Sequence, residues 1–325
     1  VSGRKLLGIS VLILQLAIVG ASFWAILHKQ DVIDWWRLKN YHPTSTAIQL
    51  VASTTMVGRG QNMFYVSQPE VDDKIAFNQN CPNNSEQGLV LGCYRSQRIY
   101  LYDVNDPQLA GVKEVTAAHE MLHAAYERLS SGDKQRINKM LDPIIKNITD
   151  ERLLGVIKLY NSQEPGELYN EMHSVLGTEY RTLTPELEQY YSQYFKDRAS
   201  IVTMAEHYEG IFSASKNRIA TMDAQLASLK QQIDNNNKDL ANRQILISQA
   251  TQQLNQLRNS GSIEEYNHQV PVYNDQVRQF NSLITSTKAL VVSYNTLVDQ
   301  RNQEVAGQNN LYHSLDSRYQ TVPQN

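Results

Sequence analysis

Residues 116–126 read TAAHEMLHAAY. Two histidines stand four apart, with a glutamate directly after the first. In a helix of 3.6 residues per turn, positions four apart share a face, so His119 and His123 point the same way and can grip one ion. Imidazole nitrogen suits zinc at about 2.0–2.1 Å. Glu120 is rotated by about 100° from His119, outside that coordination sphere but within reach of a water on the ion's open side. Zinc lowers the pKa of such a water, and a carboxylate there can take its proton and pass it to a leaving amine. With eight histidines in 325 residues, chance alone produces this spacing in about one such chain in a hundred. The surroundings therefore matter. Ala117, Ala118, Ala124 and Ala125 flank the histidines with small side chains, so the helix can pack closely.

A hydrolytic zinc site takes three protein ligands and one open position. The stretch GELYNEMHSVLGTEY, 166–180, offers the third: Glu171, with Glu167 one turn earlier on the same face and His173 close by. One glutamate suffices as ligand, and the other can orient a ligand histidine from behind. Ahead of the motif, RIYLYDV at 98–104 alternates apolar and polar residues and predicts a strand, closed by the turn Asn105-Asp106-Pro107. A strand there suits an extended peptide as substrate. Helices are predicted at 111–129, 133–147, 149–161, 165–177 and 184–208. Tyr190, Tyr191, Tyr194 and Phe195 read as a core stripe.

HEMLH followed by a later helix with NEMHS resembles the thermolysin-like zinc peptidases called gluzincins, over about 80 residues. The resemblance implies a zincin-like fold, with Zn2+ held by His119, His123 and Glu171 and with Glu120 as general base. Membrane-associated gluzincins carry E-x-x-x-D, which would place the ligand at Glu167 and a supporting acid at Glu171. This chain has glutamate where that pattern has aspartate, so Glu171 is taken as the ligand and Glu167 as the alternative. Gluzincins also supply a Tyr, His or Arg to the tetrahedral intermediate. His173, Tyr180 and Arg181 are the nearby candidates.

Leu6 to Leu27 carries no charge over 22 residues, and a helix needs about 20 to cross a bilayer. Arg4 and Lys5 precede it, and Trp24, Trp35 and Trp36 lie near its far end. The expectation is a single-pass anchor with a cytoplasmic N-terminus and the bulk of the chain outside. A cleaved signal peptide ending at Val19-Gly20-Ala21 is the rival reading. Cys81 and Cys93, the only cysteines, are then expected to pair. A net charge of -3 gives no sign of a nucleic-acid partner.

From 211 onward the pattern changes. Ile219, Leu226, Ile233, Leu240, Ile247 and Leu254 recur every seven residues, with Met222, Leu229, Asn236, Arg243, Ala250 and Leu257 between them. A second series runs from Ile263 through Val270, Val277, Ile284, Val291 and Val298 to Val305. Asn259-Ser260-Gly261-Ser262 separates the two as a reversal. An antiparallel coiled-coil hairpin follows, with Pro271 kinking the second arm or marking its start.

The expected chain is therefore α+β and mostly helical. It comprises a cytoplasmic N-terminus (1–5), a transmembrane anchor (6–27), a juxtamembrane stalk (28–45), a zinc metallopeptidase-like domain (46–208), a hairpin (209–316) and a tail (317–325). The expected function is extracytoplasmic hydrolysis of a peptide or protein substrate. The alternative is a cell-surface scaffold whose hairpin recruits or regulates envelope enzymes or associates with itself, the metal being structural.

Overall fold

The computed structural model describes residues 2–82 and 89–319, with the side chains of 2–13 and 27 outside that description. The described residues are mostly helical with one small sheet. In order come α1 (Ser2–Leu27), α2 (Lys29–Asn40), α3 (Ser45–Ser53), α4 (Arg59–Val66), β1 (Glu70–Asp72), α5 (Lys74–Asn80), β2 (Gly92–Arg95) and β3 (Arg98–Tyr102). A 3-10 turn, Pro107–Leu109, then leads into α6 (Val112–Glu127), α7 (Ser131–Asn147), α8 (Glu151–Gln163), α9 (Leu168–Thr178), α10 (Pro185–Tyr191), α11 (Arg198–Asn259) and α12 (Ile263–Leu315). The chain divides into two compact units, Val1–Gly210 with Leu311–Asn325, and Ile211–Asn310.

In the first unit the motif helix α6 is central. Its Val115, Ala117, Ala118, Met121, Leu122 and Ala125 are all but sealed from solvent. α6 begins at Gly111, whose φ of 98° lies in the left-handed region and whose Cα faces Met204 of α11; an added Cβ would meet the Met204 Cβ at 2.8 Å. α9 crosses α6 closely because Gly177 has no side chain. A Cβ there would run into Leu122 and come within 2.8 Å of the Tyr191 ring. Arg198 fixes the far end of α9 by donating to the carbonyls of Leu176 (3.2 Å), Tyr180 (2.7 Å) and Arg181 (2.9 Å) while pairing with Glu188. Tyr190, Tyr191, Tyr194 and Phe195 are buried as expected.

The predicted strand appears as β3, but it is central rather than an edge. β1 lies parallel on one side and β2 antiparallel on the other. β2 and β3 form a hairpin through Ser96 and Gln97, both in the left-handed region at φ 50° and 61°. That twist suits a two-residue turn, and Gln97 is held in it by Gln30 and Arg37 of α2. The segment expected as a stalk is thus a helix docked on the domain. The helix expected over 184–208 is interrupted at 192–197, where Phe195 bridges to Met56.

α1 covers the expected anchor, but the side chains of residues 6–13 and 27 lie outside the description. Among the described residues no helix is long and apolar enough to cross a membrane.

The second unit consists of the two hairpin arms. Along α11 the half-buried residues are those of the heptad series, from Met222 and Leu226 through Asn236, Arg243 and Leu257, and the positions between are mostly exposed. Asn236 donates to Thr287 at 3.1 Å and Arg243 to Gln279 at 2.9 Å, so the arms run antiparallel. Pro271 sits inside α12, which continues through it.

Candidate metal centre

His119 and His123 lie on the face of α6 that meets α9, and Glu171 stands in the first turn of α9. Their ligand atoms converge into a group that could hold a metal ion. His119 Nε2 and His123 Nε2 are 3.0 Å apart, and Glu171 Oε2 lies 3.4 Å from the His123 nitrogen and 3.8 Å from that of His119. A tetrahedral centre with bonds near 2.0–2.1 Å separates its donor atoms by about 3.3 Å, so the three spacings fit such a centre. Side-chain exposures of 16%, 15% and 11% leave the group sunk in the surface yet reachable.

The surrounding side chains prepare this group. His123 Nδ1 lies 3.0 Å from Asn170 Oδ1, and the Asn170 amide nitrogen donates to Glu167 Oε2 at 3.0 Å. With the Asn170 oxygen facing it, Nδ1 keeps its proton, so Nε2 is the nitrogen that would give a lone pair to a bound ion. Glu167 therefore acts through Asn170 and stays outside the group. His119 has Glu179 behind it, Nδ1 to Oε1 3.9 Å. Arg152 lies 2.7 Å from Glu179 and 2.9 Å from Glu209. Tyr160 of α8 donates to Glu171 Oε2 at 3.0 Å.

Charge within the group is self-compensating. Burial pulls the His119 imidazole down, but Glu171, Glu120 and Glu179 outweigh it and raise the ring to about 10. His123 is raised by the same contest between burial and the Glu171 and Glu120 carboxylates, against the charge of His119. Burial alone would push Glu171 up; the two imidazoles override it and hold the carboxyl well below its ordinary range. A cation entering here would take over the role that the imidazolium protons play.

Glu120 is buried on the side of α6 that faces β2. Gly92 makes room for it: a Cβ on Gly92 would stand 2.8 Å from Glu120 Cγ, 2.9 Å from its Oε1 and 2.6 Å from Thr116 Cγ2. The next residue, Cys93, is disulfide-bonded to Cys81, as expected. β2 is an outer strand of the sheet. Its register pairs Arg95 with Arg98 across the turn, so the alternation leaves the N–H and C=O groups of Gly92 and Tyr94 pointing away from β3.

The three oxyanion candidates do not join the group. His173 is sealed among Tyr126, Tyr190 and Tyr191, with Nε2 2.9 Å from the Tyr190 hydroxyl. Burial, then the charges of His123 and His119, lower it to about 3. Tyr180 packs against the core, and Arg181 is at the surface with Glu206. Tyr160, Arg152 and Glu179 were not legible as site residues. Glu179 stands at the C-cap of α9, eight positions after Glu171, where no periodicity marks it. The chain matches no known protein family, no curated protein and no solved structure.

Proposed function

We propose that this chain is a membrane-anchored, extracytoplasmic zinc metallopeptidase of the gluzincin type. The convergence of His119, His123 and Glu171 beside a buried Glu120 carries the reading. Zinc would supply a Lewis acid and a water of lowered pKa. Asn170 fixes the His123 tautomer, and Glu179 faces the far side of the His119 ring. Glu120 takes the proton of the attacking water and returns it to the leaving amine. The Tyr160 hydroxyl donates to Glu171 Oε2, and this proximity to the metal group supports it as the donor that would meet the oxygen of a tetrahedral intermediate. The outward N–H and C=O groups of Gly92 and Tyr94 would hold an extended peptide as an added strand. The Cys81–Cys93 disulfide supports an oxidising compartment, and the uncharged run Leu6–Leu27 supports the anchor.

The test is metal analysis with hydrolysis of a quenched-fluorescent peptide pool. Wild type is expected to hold about one zinc per chain. Glu120→Gln keeps the metal and loses hydrolysis, Glu171→Ala loses the metal, and Glu167→Ala keeps it. A cleanly folded wild type without zinc affinity would defeat the proposal.

A recruiting role for the hairpin is a second reading, favoured by Ile245, Leu246 and Val292, which stand 58%, 53% and 65% exposed on its arms. Ile245→Ser with Leu246→Ser would then abolish capture of a protein partner while zinc content stays unchanged. Partner capture unaffected by these changes refutes it.

A further inference from the structure

The chain's three tryptophans, Trp24, Trp35 and Trp36, all lie in α1 and α2. In α2 they belong to a helix with two unlike faces. One face is fastened to the globular unit. Asp34 takes both Nε (2.7 Å) and Nη2 (3.1 Å) of Arg128, which stands just past α6 and whose side chain is only 7% exposed. Arg37 donates to the Gln97 carbonyl at 2.8 Å, and Gln97 donates to Gln30 at 3.0 Å. The opposite face presents Val32, Trp35, Trp36 and Lys39 at helical spacing, with Trp35 and Trp36 62% and 60% exposed and the Lys39 ammonium 5.1 Å over the Trp35 ring.

The chemistry of that face matches the boundary between lipid headgroups and acyl chains. Indoles partition there, and a lysine can lie along them with its charge toward water. The preceding helix points to the same occupant. Leu14, Leu16, Ile18, Val19, Phe23 and Ile26 of α1 are 56% to 72% exposed. At about 100° per residue these six span roughly 200° of the helix, and Trp24, 56% exposed, stands on the remaining side, so apolar surface is open all round. A partner helix would cover one stripe, whereas acyl chains cover the whole circumference. α1 and α2 are separated only by His28.

We infer that α2 is an interfacial helix, lying in the outer headgroup layer with Trp35 and Trp36 toward the lipid, and that it holds the Gly92–Arg95 strand just above the membrane. The link is short: Asp34 binds Arg128, and Arg128 Nη1 donates to the Tyr94 hydroxyl at 2.7 Å. One helix diameter, about 10–12 Å, and the Arg128 and Tyr94 side chains then stand between the β2 backbone and the lipid. The substrate class that follows is a polypeptide tethered to or emerging from the same membrane, presented as an extended juxtamembrane segment. This substrate class rests on the peptidase reading; the placement of α2 does not.

The experiment uses the full chain reconstituted in phosphatidylcholine–phosphatidylglycerol vesicles. Trp24→Phe leaves Trp35 and Trp36 as the only indoles. Their emission is expected to be quenched by lipids brominated near the glycerol end of the acyl chain, and less by lipids brominated near the methyl end. Unquenched emission, or quenching strongest at the methyl end, overturns the interfacial placement. So does blue-shifted, unquenched emission that depends on protein concentration, which is the signature of a second copy on this face. With zinc loaded, a lipid-tethered peptide should be cleaved with a kcat/KM roughly tenfold or more above the same peptide free in solution. That advantage should vanish in Trp35→Ser/Trp36→Ser, whose rate on the free peptide is unchanged. Equal rates on both peptides overturn the substrate class. Normal quenching with neither peptide cleaved retains the interfacial helix and overturns the peptidase reading together with the substrate class.

Discussion

Replacing Gly92 with alanine moves one methyl group against Glu120 and leaves every metal ligand untouched. The new Cβ would stand 2.6 Å from Thr116 Cγ2, 2.8 Å from Glu120 Cγ and 2.9 Å from Glu120 Oε1. Ordinary contact begins at 3.4 Å, so something must yield by about 0.5–0.8 Å, an overpacking that costs about 1–3 kcal/mol. Thr116 is restrained, because its hydroxyl donates to the Val112 carbonyl at 2.8 Å. β2 is restrained by its ladder to β3 and by the Cys81–Cys93 bond. Two atoms of the Glu120 side chain, Cγ and Oε1, stand in the path of the new methyl, so Glu120 shares in the shift. A displacement near 1 Å at a reacting group costs about 10²-fold in rate. Gly92→Ala is therefore expected to retain zinc, to melt a few degrees lower at about 2–4 °C per kcal/mol, and to lose about two orders of magnitude in kcat/KM. Zinc stoichiometry, a thermal melt and peptide hydrolysis read the three quantities on one preparation. A variant with full zinc, a lowered melting temperature and an undiminished rate would refute the role given to Glu120, since the clash would then be present without its chemical consequence.

Asn170→Ala should weaken zinc about 10–100-fold in a chelator competition, because the His123 tautomer loses its partner. An unchanged affinity would remove Asn170 from the account. In the metal-free protein His119 is raised from 6.5 to about 10, so the stability it contributes is complete below 6.5 and is lost as pH rises through about 10. The melting temperature of chelator-treated protein should accordingly fall across that window, and a flat curve would contradict the imidazolium–carboxylate pairing. Cys81→Ser with Cys93→Ser should lower stability by about 2–4 kcal/mol in a denaturant titration. A loss under half a kcal/mol would mean that the ladder between β2 and β3 holds the strand unaided.

Periodic features were legible in the sequence, and features made by tertiary contact were not. The heptads of α11 and the spacing of His119 and His123 are properties of one helix, so counting residues finds them. Glu171 was reachable through the resemblance of NEMHS to the gluzincin pattern, with Glu167 one turn earlier as its rival. β2 escaped because GCYR is four residues long and its turn, Ser96-Gln97, lacks the Asn-Gly signal. The turn is imposed from outside by Gln30 and Arg37 of α2. The break between α10 and α11 escaped for a similar reason. Residues 192–197 contain no glycine or proline, and the helix stops because Phe195 bridges to Met56. Tyr160 and Arg152 reach the site from α8, which carries no pattern that separates a site residue from a surface one.

The polar pair Asn236–Thr287 gives the two arms one permitted alignment. A slip of one heptad would set the Asn236 amide against Phe280 or Tyr294 and strand it, at a cost of about 1 kcal/mol or more. The arms therefore cannot telescope past each other. Each residue of α11 from 211 to 259 adds about 1.5 Å, so the pair makes a strut of fixed span, on the order of 70 Å. A load applied at Gly261 is resisted along that length and is not absorbed by sliding.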